Sequence, residues 1–326
     1  MKAVQLDGYG SAENLRIVDL PVPRPTEDQV LIRVEAAGLI FADVLMRRGD
    51  YINQPSALPF VPGREVAGVV ERVGARVTGL RPGMRVTAHM HTGGYAEYAV
   101  ASAADVIALP DRVSFLQGLV YHINLRIAYL CYYTFGQIQP CDTVLLHAAA
   151  GGIGTLVTQI AKRRGRNVVI ALSSSDDKLA HCRATGADYL VNYRATDYVD
   201  AVLRITGGRG VDVSLNSVGG STLTTDPHVI RPMGRLVVYN YAAGRGLIDP
   251  FDVVLRKSLT ISVFTTYTVF GQEEFRRATD FLVSWLHTED LISVSRTFPL
   301  DDVVGAHRWL EEQRAHGKIA LAVGAR

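Results

Sequence analysis

Apolar and polar positions divide the chain into two textures. Over residues 1–110, short alternating or apolar runs fall at 2–6, 29–37, 65–73, 85–88 and 96–100. Proline and glycine punctuation separates them, as in P-V-P-R-P (21–25) and R-P-G (81–83). Alternation with period two between turn signals predicts strands, and their density predicts a compact, strongly curved antiparallel domain. One helical patch intervenes at 43–48, D-V-L-M-R-R, with Phe41 before it and Gly49 as its stop. Pro59, Pro62 and Gly63 make a stiff loop, and Glu65 is expected to brace it.

From Ser114 the texture changes. Residues 114–135 carry few breakers and predict one or two helices. Strand and helix patterns then alternate: strand 143–147, helix 152–164, strand 167–172, helix 176–185, strand 188–191, helix 197–206, strand 211–216, a helix near 221–231 and strand 234–240. Strands separated by helices predict a doubly wound parallel sheet in an α/β chain. Residues 258–264 read as a further edge strand, 273–287 and 301–313 as amphipathic helices, and 318–323 as a closing strand. That last strand is expected to return to the first domain.

The stretch 144–154, V-L-L-H-A-A-A-G-G-I-G, joins a buried strand to a helix. It fits A-x-G-x-x-G on Ala149, Gly151 and Gly154, followed by the helical pattern Leu156, Val157, Ile160, Ala161. In this spacing a small residue at 149 permits the turn, Gly151 lets the backbone approach a pyrophosphate, and Gly154 lets the helix pack on the sheet. Bare amides of Gly152 and Ile153 and the helix dipole then face phosphate oxygens. The pattern predicts a bound dinucleotide.

Composition narrows the classes. With 326 residues, 48% hydrophobic and 20% charged, two globular domains are expected. A net charge of +2 gives no broad electrostatic case for nucleic acid or a membrane surface, and no apolar run reaches the ~18 residues of a span. Cys131, Cys141 and Cys182 lack C-x-x-C spacing and read as reduced thiols of a cytoplasmic protein.

With these residues in view, the sequence resembles the medium-chain dehydrogenase/reductase superfamily, in its zinc-free quinone oxidoreductase and enoyl reductase branch. The resemblance rests on A-A-G-L-I-F-A-D-V-L (36–45), P-G-R-E-V-A-G-V-V (62–70), G-G-Y-A-E-Y (93–98), H-A-A-A-G-G-I-G (147–154), G-A-D-Y-L-V-N-Y (186–193) and G-K-I-A-L (317–321). It implies a GroES-like β-rich catalytic domain over 1–122 and 266–326, a Rossmann domain over 123–265, an active site in the cleft, and a homodimer paired through the 258–264 edge.

Zinc-dependent relatives place a Cys after A-G-L and a His in G-H-E, where this sequence has Ile40 and Arg64, so no metal is expected. His89 and His91 are expected on one strand face without a third ligand. For the cofactor, Ser173 stands where zinc-dependent relatives carry the acid that binds a ribose 2′-hydroxyl, while Lys178 and Tyr193 fall where this branch grips a 2′-phosphate with Ser174 close by, which implies NADPH. Ser175 with Asp176 and Asp177 also suits a capped helix N-terminus, and the two roles are compatible. Asn216, Tyr239 and Asn240 are expected along the rest of the cofactor.

Tyr51 closes F-A-D-V-L-M-R-R-G-D-Y, similar to a motif of polyketide enoyl reductases whose tyrosine is proposed to protonate the substrate α-carbon. It reads either as that acid or as a pocket wall. Asp43 reads as structural. Ile40, Phe41, Tyr121, His122, Arg126 and Ile127 are the expected substrate pocket. Here the branch's usual Asn is Ile40, and its G-L-T-A-Y segment is L-R-I-A-Y (125–129) with Leu125 and Ile127. These departures imply a reshaped pocket for an unusual substrate, or a redox-neutral lyase, cyclase or ligand-binding member. The leading expectation is an NADPH-dependent, zinc-free reductase of a small conjugated carbonyl, either a quinone or an enoyl compound.

Overall fold

The structure is a computed structural model that describes residues 1–324 apart from 56, 291, 293 and 313. It divides into two compact units, Met1–Ile123 with Leu282–Arg326, and Asn124–Phe281.

The first unit is built on a seven-stranded sheet. Arg296–Pro299, Ile319–Ala322, Gln29–Leu39, Glu65–Val73, Arg85–His89 and Val106–Ala108 lie in that spatial order, and Tyr98–Ser102 pairs with Gln29–Leu39. Gln29–Leu39 and Glu65–Val73 are antiparallel, with register shifts between Leu31 and Ile32 and between Val34 and Ala36. Such bulges add twist and bend the sheet over its core. Val30, Ile32, Val34, Val66, Val86 and Leu321 fill that core. The late strand Ile319–Ala322 runs antiparallel to Gln29–Leu39, with Ile319 opposite Leu39.

One helix, Phe41–Arg48, breaks the β pattern. It begins two residues before the apolar pattern suggested, because Asp43 Oδ2 accepts the Ile40 amide at 3.0 Å and so satisfies a donor at the helix start. Gly49, at φ 88°, closes it.

The second unit holds six parallel strands in the order Tyr189–Asn192, Val168–Ser173, Thr143–Leu146, Val211–Asn216, Ile230–Val238, Thr260–Val263. Numbered within the sheet this is 3-2-1-4-5-6, the doubly wound order whose switch point lies between the first and fourth strands. Val211–Asn216 is buried at every position, as a strand covered on both faces must be.

Several elements differ from the sequence expectation. The helix expected near 221–231 stops at Val229, and a strand begins at Ile230 rather than 234. Pro227 lies inside this helix without an amide to donate and Pro232 cannot extend it, while Met233 at φ 58° with a register shift after Val211 marks a bulge. Short helical turns at Pro250–Val254, Leu255–Lys257 and Thr266–Val269 carry too little periodicity to be read in advance. The edge strand is Thr260–Val263, within the expected 258–264, because Ser258 takes a left-handed conformation. The late helix is Val303–Glu311 after a turn at Leu300–Asp302; Gln313, the expected end, lies outside the described residues, as do 325 and 326.

Each unit holds a buried charge cluster. In the first, Lys318 pairs with Glu65, and both are essentially inaccessible. Glu65 therefore ties its strand to the chain just before Ile319–Ala322 and does not brace the Gly63 loop. Gly38 lies against this pair: a Cβ there would sit 2.7 Å from Glu65 Oε2. In the second unit, Asp226 accepts four hydrogen bonds at 2.8 Å, from His147 Nε2, Tyr198 Oη, Ser214 Oγ and Asn216 Nδ2. Burial alone would raise this carboxyl, but the His147, Asn216 and Ser214 donors outweigh it and hold it below the usual range.

Two outcomes follow. Lys318→Met leaves a buried carboxylate without its cation and lowers stability by about 3–5 kcal/mol, and adding Glu65→Gln recovers most of that loss in urea unfolding. Because Asp226 ionises below its unfolded value of about 3.9, its stabilisation is complete above that pH and is lost as pH falls through the lower folded value. Asp226→Asn therefore flattens the acid limb of the stability–pH curve and lowers neutral stability by about 1–3 kcal/mol. Parallel curves for the two proteins would contradict this assignment.

Candidate functional site

The glycine turn lies at the switch point of the six-stranded sheet. His147 follows the first strand, and its amide donates to the Leu215 carbonyl of the fourth at 3.0 Å. The left-handed residue of the turn is Ala148 (φ 47°), not Ala149. Ala149 instead donates its amide to Leu172 of the neighbouring strand. A Cβ on Gly154 would lie 2.6 Å from the Ala149 oxygen and 2.8 Å from the Ala148 oxygen, so only glycine permits this approach. A Cβ on Gly151 would meet only the Ala148 oxygen, at 3.1 Å, which leaves the space above the turn open. The helix Gly152–Ile160 starts here with no side-chain cap, and its first amides and those of Ile153 are aimed by backbone alone. This is a cradle for an anion.

Ser173 ends the second strand of the sheet and is buried together with Ser174. Lys178 Nζ donates to Ser174 Oγ at 3.1 Å. Burial, then the charge of Arg194, lowers the Lys178 ammonium from its ordinary range. Tyr193 donates its amide to the Ser173 carbonyl at 3.2 Å, which brings Arg194 to the same place. Two cations and two hydroxyls beside one strand end form a donor set for a multiply charged anion. Ser175 stands at the helix N-cap but its side chain makes no capping bond, and Asp176 instead accepts from Asn192 Nδ2 at 3.0 Å. The capping role expected of Ser175 is thus absent. Arg194 joins this set beyond the residues expected from the sequence, where its only signal is a basic side chain directly after Tyr193.

Further along, Asn216 uses both ends of its amide. Its Nδ2 is held by Asp226 and Thr222, and its Oδ1 accepts the Val218 and Gly219 amides. It fixes the loop that follows the fourth strand. The Tyr239 amide donates to the Asn216 carbonyl at 3.1 Å, and burial pushes the Tyr239 hydroxyl above its ordinary range. Asn240 Oδ1 accepts the Tyr241 amide. Arg126, 1% exposed, lies over the Phe275 ring at 4.9 Å, while Ile127 is half-buried. A guanidinium so enclosed serves packing as well as charge.

In the first unit, Ile40 and Phe41 flank the start of their helix and are half-buried. Tyr121 and His122 are fully buried, and Tyr121 Oη accepts the Ile292 amide at 2.7 Å. The sharper cluster surrounds Arg64, which is 4% exposed. Its Nη1 donates to Tyr51 Oη at 2.5 Å, and its Nη2 lies 3.3 Å from His89 Nε2. A guanidinium has no acceptor, so His89 Nε2 accepts and its proton sits on Nδ1. His89 is buried at the end of its strand whereas His91 lies beyond it, exposed, so the two do not share a strand face as expected. Behind them, burial pushes the Asp43 carboxyl up to about 6 against the opposing pull of the Ile40 amide and Arg64; Tyr95 Oη also donates to it at 3.0 Å.

Zinc does not fit this site. Ile40 offers no ligand atom, and the buried Arg64 guanidinium, which carries donors only, offers none either. Among the described residues no group of three or more His, Cys, Asp or Glu side chains could hold a metal ion. No helix among them is long and apolar enough to cross a membrane.

Comparison with known proteins agrees with this architecture. Residues 26–111 match the alcohol dehydrogenase GroES-like domain, and 152–284 match the domain described as zinc-binding dehydrogenase. Human quinone oxidoreductase is 31% identical, over 98% of this chain and 97% of its own. The crystal structure of Escherichia coli quinone oxidoreductase complexed with NADPH superimposes with a TM-score of 0.91, at 27% identity, covering 99% of this chain and all of the other. That of the CurK enoyl reductase gives 0.88 at 27% identity, covering 99% of both. The chain belongs to the medium-chain dehydrogenase/reductase superfamily, in its quinone oxidoreductase branch.

Proposed function

We propose that this protein is an NADPH-dependent, zinc-free reductase of a small conjugated carbonyl compound, a quinone or an enone. The observation that carries the proposal is the pairing of the Gly154 cradle with the Ser174, Lys178 and Arg194 donor set. The cradle suits a pyrophosphate, and the donor set suits a 2′-phosphate that a carboxylate at the same strand end would repel. The relative solved with NADPH supports the same cofactor. When bound, NADPH supplies a hydride to the electron-poor end of the conjugated system.

The chain's own residues do the rest. Ala149, Gly151 and Gly154 shape the turn, and the amides of Gly152 and Ile153 orient the pyrophosphate. Ser173, Ser174, Lys178 and Tyr193 hold the adenosine end, and Asn216, Tyr239 and Asn240 line the path towards the nicotinamide. Ile40 and Phe41, half-buried, shape the substrate pocket in the first unit; Tyr121, His122 and Arg126, expected beside them, are closed to solvent and serve packing. Tyr51 donates the proton that completes reduction. Without a metal to polarise the carbonyl, activation must come from conjugation in the substrate itself, which disfavours simple alcohols.

The protein is further read as a cytoplasmic homodimer. Its three cysteines are unpaired thiols, and the Thr260–Val263 edge strand exposes Val263, with Phe251 and Leu255 also exposed in the segments before it. An apolar, unpaired edge suits pairing across a two-fold.

Anaerobic mixing with NADPH and a panel of quinones and enones is expected to consume the nicotinamide absorbance. Absence of both binding and oxidation would sink the proposal. Lys178→Ala is expected to weaken NADPH at least about tenfold, about 1.4 kcal/mol, while NADH changes by less than about threefold. Equal losses for the two would remove the 2′-phosphate assignment.

A further inference from the structure

We propose that Arg64 is a positioning residue for Tyr51: it turns the phenol proton outward and stabilises the phenolate left when that proton is given up. The proposal rests on reading Tyr51 as the proton donor. Its geometry is that of two donors on one guanidinium, Nη1 to Tyr51 Oη at 2.5 Å and Nη2 against His89 Nε2 at 3.3 Å, with the Arg64 carbon 5.0 Å from the Tyr51 ring centre.

A guanidinium donates only, and it stays charged throughout the working pH range. Tyr51 must therefore accept from Arg64, so its own O–H is directed to another partner. Had this position carried a carboxylate or a carbonyl, the phenol proton would have been captured there. The buried cation also favours the ionised phenol, since an opposite charge at this range lowers the cost of losing the proton. Two paired strands hold the guanidinium in place. Arg64 immediately precedes the strand Glu65–Val73, His89 ends the neighbouring strand, and both residues are buried. Its electrostatic surroundings are His89, His91 beyond it, Asp43 on the helix Phe41–Arg48, and Glu65, whose charge is matched by Lys318.

Hydride addition at the β-carbon leaves an enolate. The Tyr51 O–H bond breaks, its proton forms the new C–H bond at the α-carbon, and the electron pair of the broken bond stays on Tyr51 Oη beside Arg64. Water then returns a proton to the phenolate.

The test follows the Tyr51 ring carbon by NMR in protein labelled at tyrosine Cζ, with the signal assigned by its loss in Tyr51→Phe. In Arg64→Met the Tyr51 ionisation midpoint is expected to move up by about one pH unit or more, and Arg64→Lys should recover part of that shift. In parallel, kcat with an enone is expected to fall about tenfold or more in Arg64→Met while the KM for NADPH is unchanged. Arg64→Lys, which keeps a cation in the buried site, supplies the same readout if the Met variant fails to fold. An unmoved Tyr51 midpoint in a folded variant overturns the pairing. A shifted midpoint together with undiminished turnover in Tyr51→Phe overturns the proton-donor reading instead, so the two failures are told apart.

Discussion

The absence of a side chain at Gly154 is the constraint on which the second unit depends. The helix after the first strand can approach the turn carbonyls of Ala148 and Ala149 only because no Cβ intervenes. That approach brings an uncapped helix start to the switch point of a 3-2-1-4-5-6 sheet, where unsatisfied amides and the helix dipole add together. Asp226 then fixes the loops on either side. Its four hydrogen bonds lock His147 of the first strand's exit and Asn216 of the fourth to one carboxylate. Stability and ligand geometry are thus set by the same few atoms.

The first unit solves a different problem with buried charge. Asp43, Arg64, Glu65 and Lys318 all lie within it, nearly or fully buried. Each pays for its desolvation through a specific partner: an amide and a phenol for Asp43, a phenol and an imidazole for Arg64, and each other for Glu65 and Lys318. Arg64 offers no ligand atom to a metal ion, and its cation can bias the neighbouring Tyr51 phenol towards giving up a proton.

Much of this was legible in the sequence, and the limits have physical causes. Parallel strands buried on both faces leave near-continuous apolar runs, so the alternation from residue 143 to 240 announced a doubly wound sheet. The glycine spacing announced the cradle, because close approach admits few residue types. What one dimension hides is which residue takes the strain: Ala148 adopts the left-handed turn, although spacing pointed to Ala149. The beginning of a strand at Ile230 was hidden by a bulge, whose signal is a single backbone angle at Met233. Partners distant in sequence were hidden as well. Glu65 and Lys318 are brought together by sheet pairing, as are Arg64 and His89, and no local pattern records such meetings.

We propose that this scaffold, with its departures at Ile40, Leu125, Ile127 and Asn240, still transfers hydride to a conjugated carbonyl. The most direct measurement uses NADPH deuterated at nicotinamide C4, with the product of a conjugated enone analysed by NMR and mass spectrometry. Deuterium at the β-carbon and a solvent-derived proton at the α-carbon are the predicted result. Product formed without label from the cofactor, or label at the β-carbon with NADH but not with NADPH, would contradict the account.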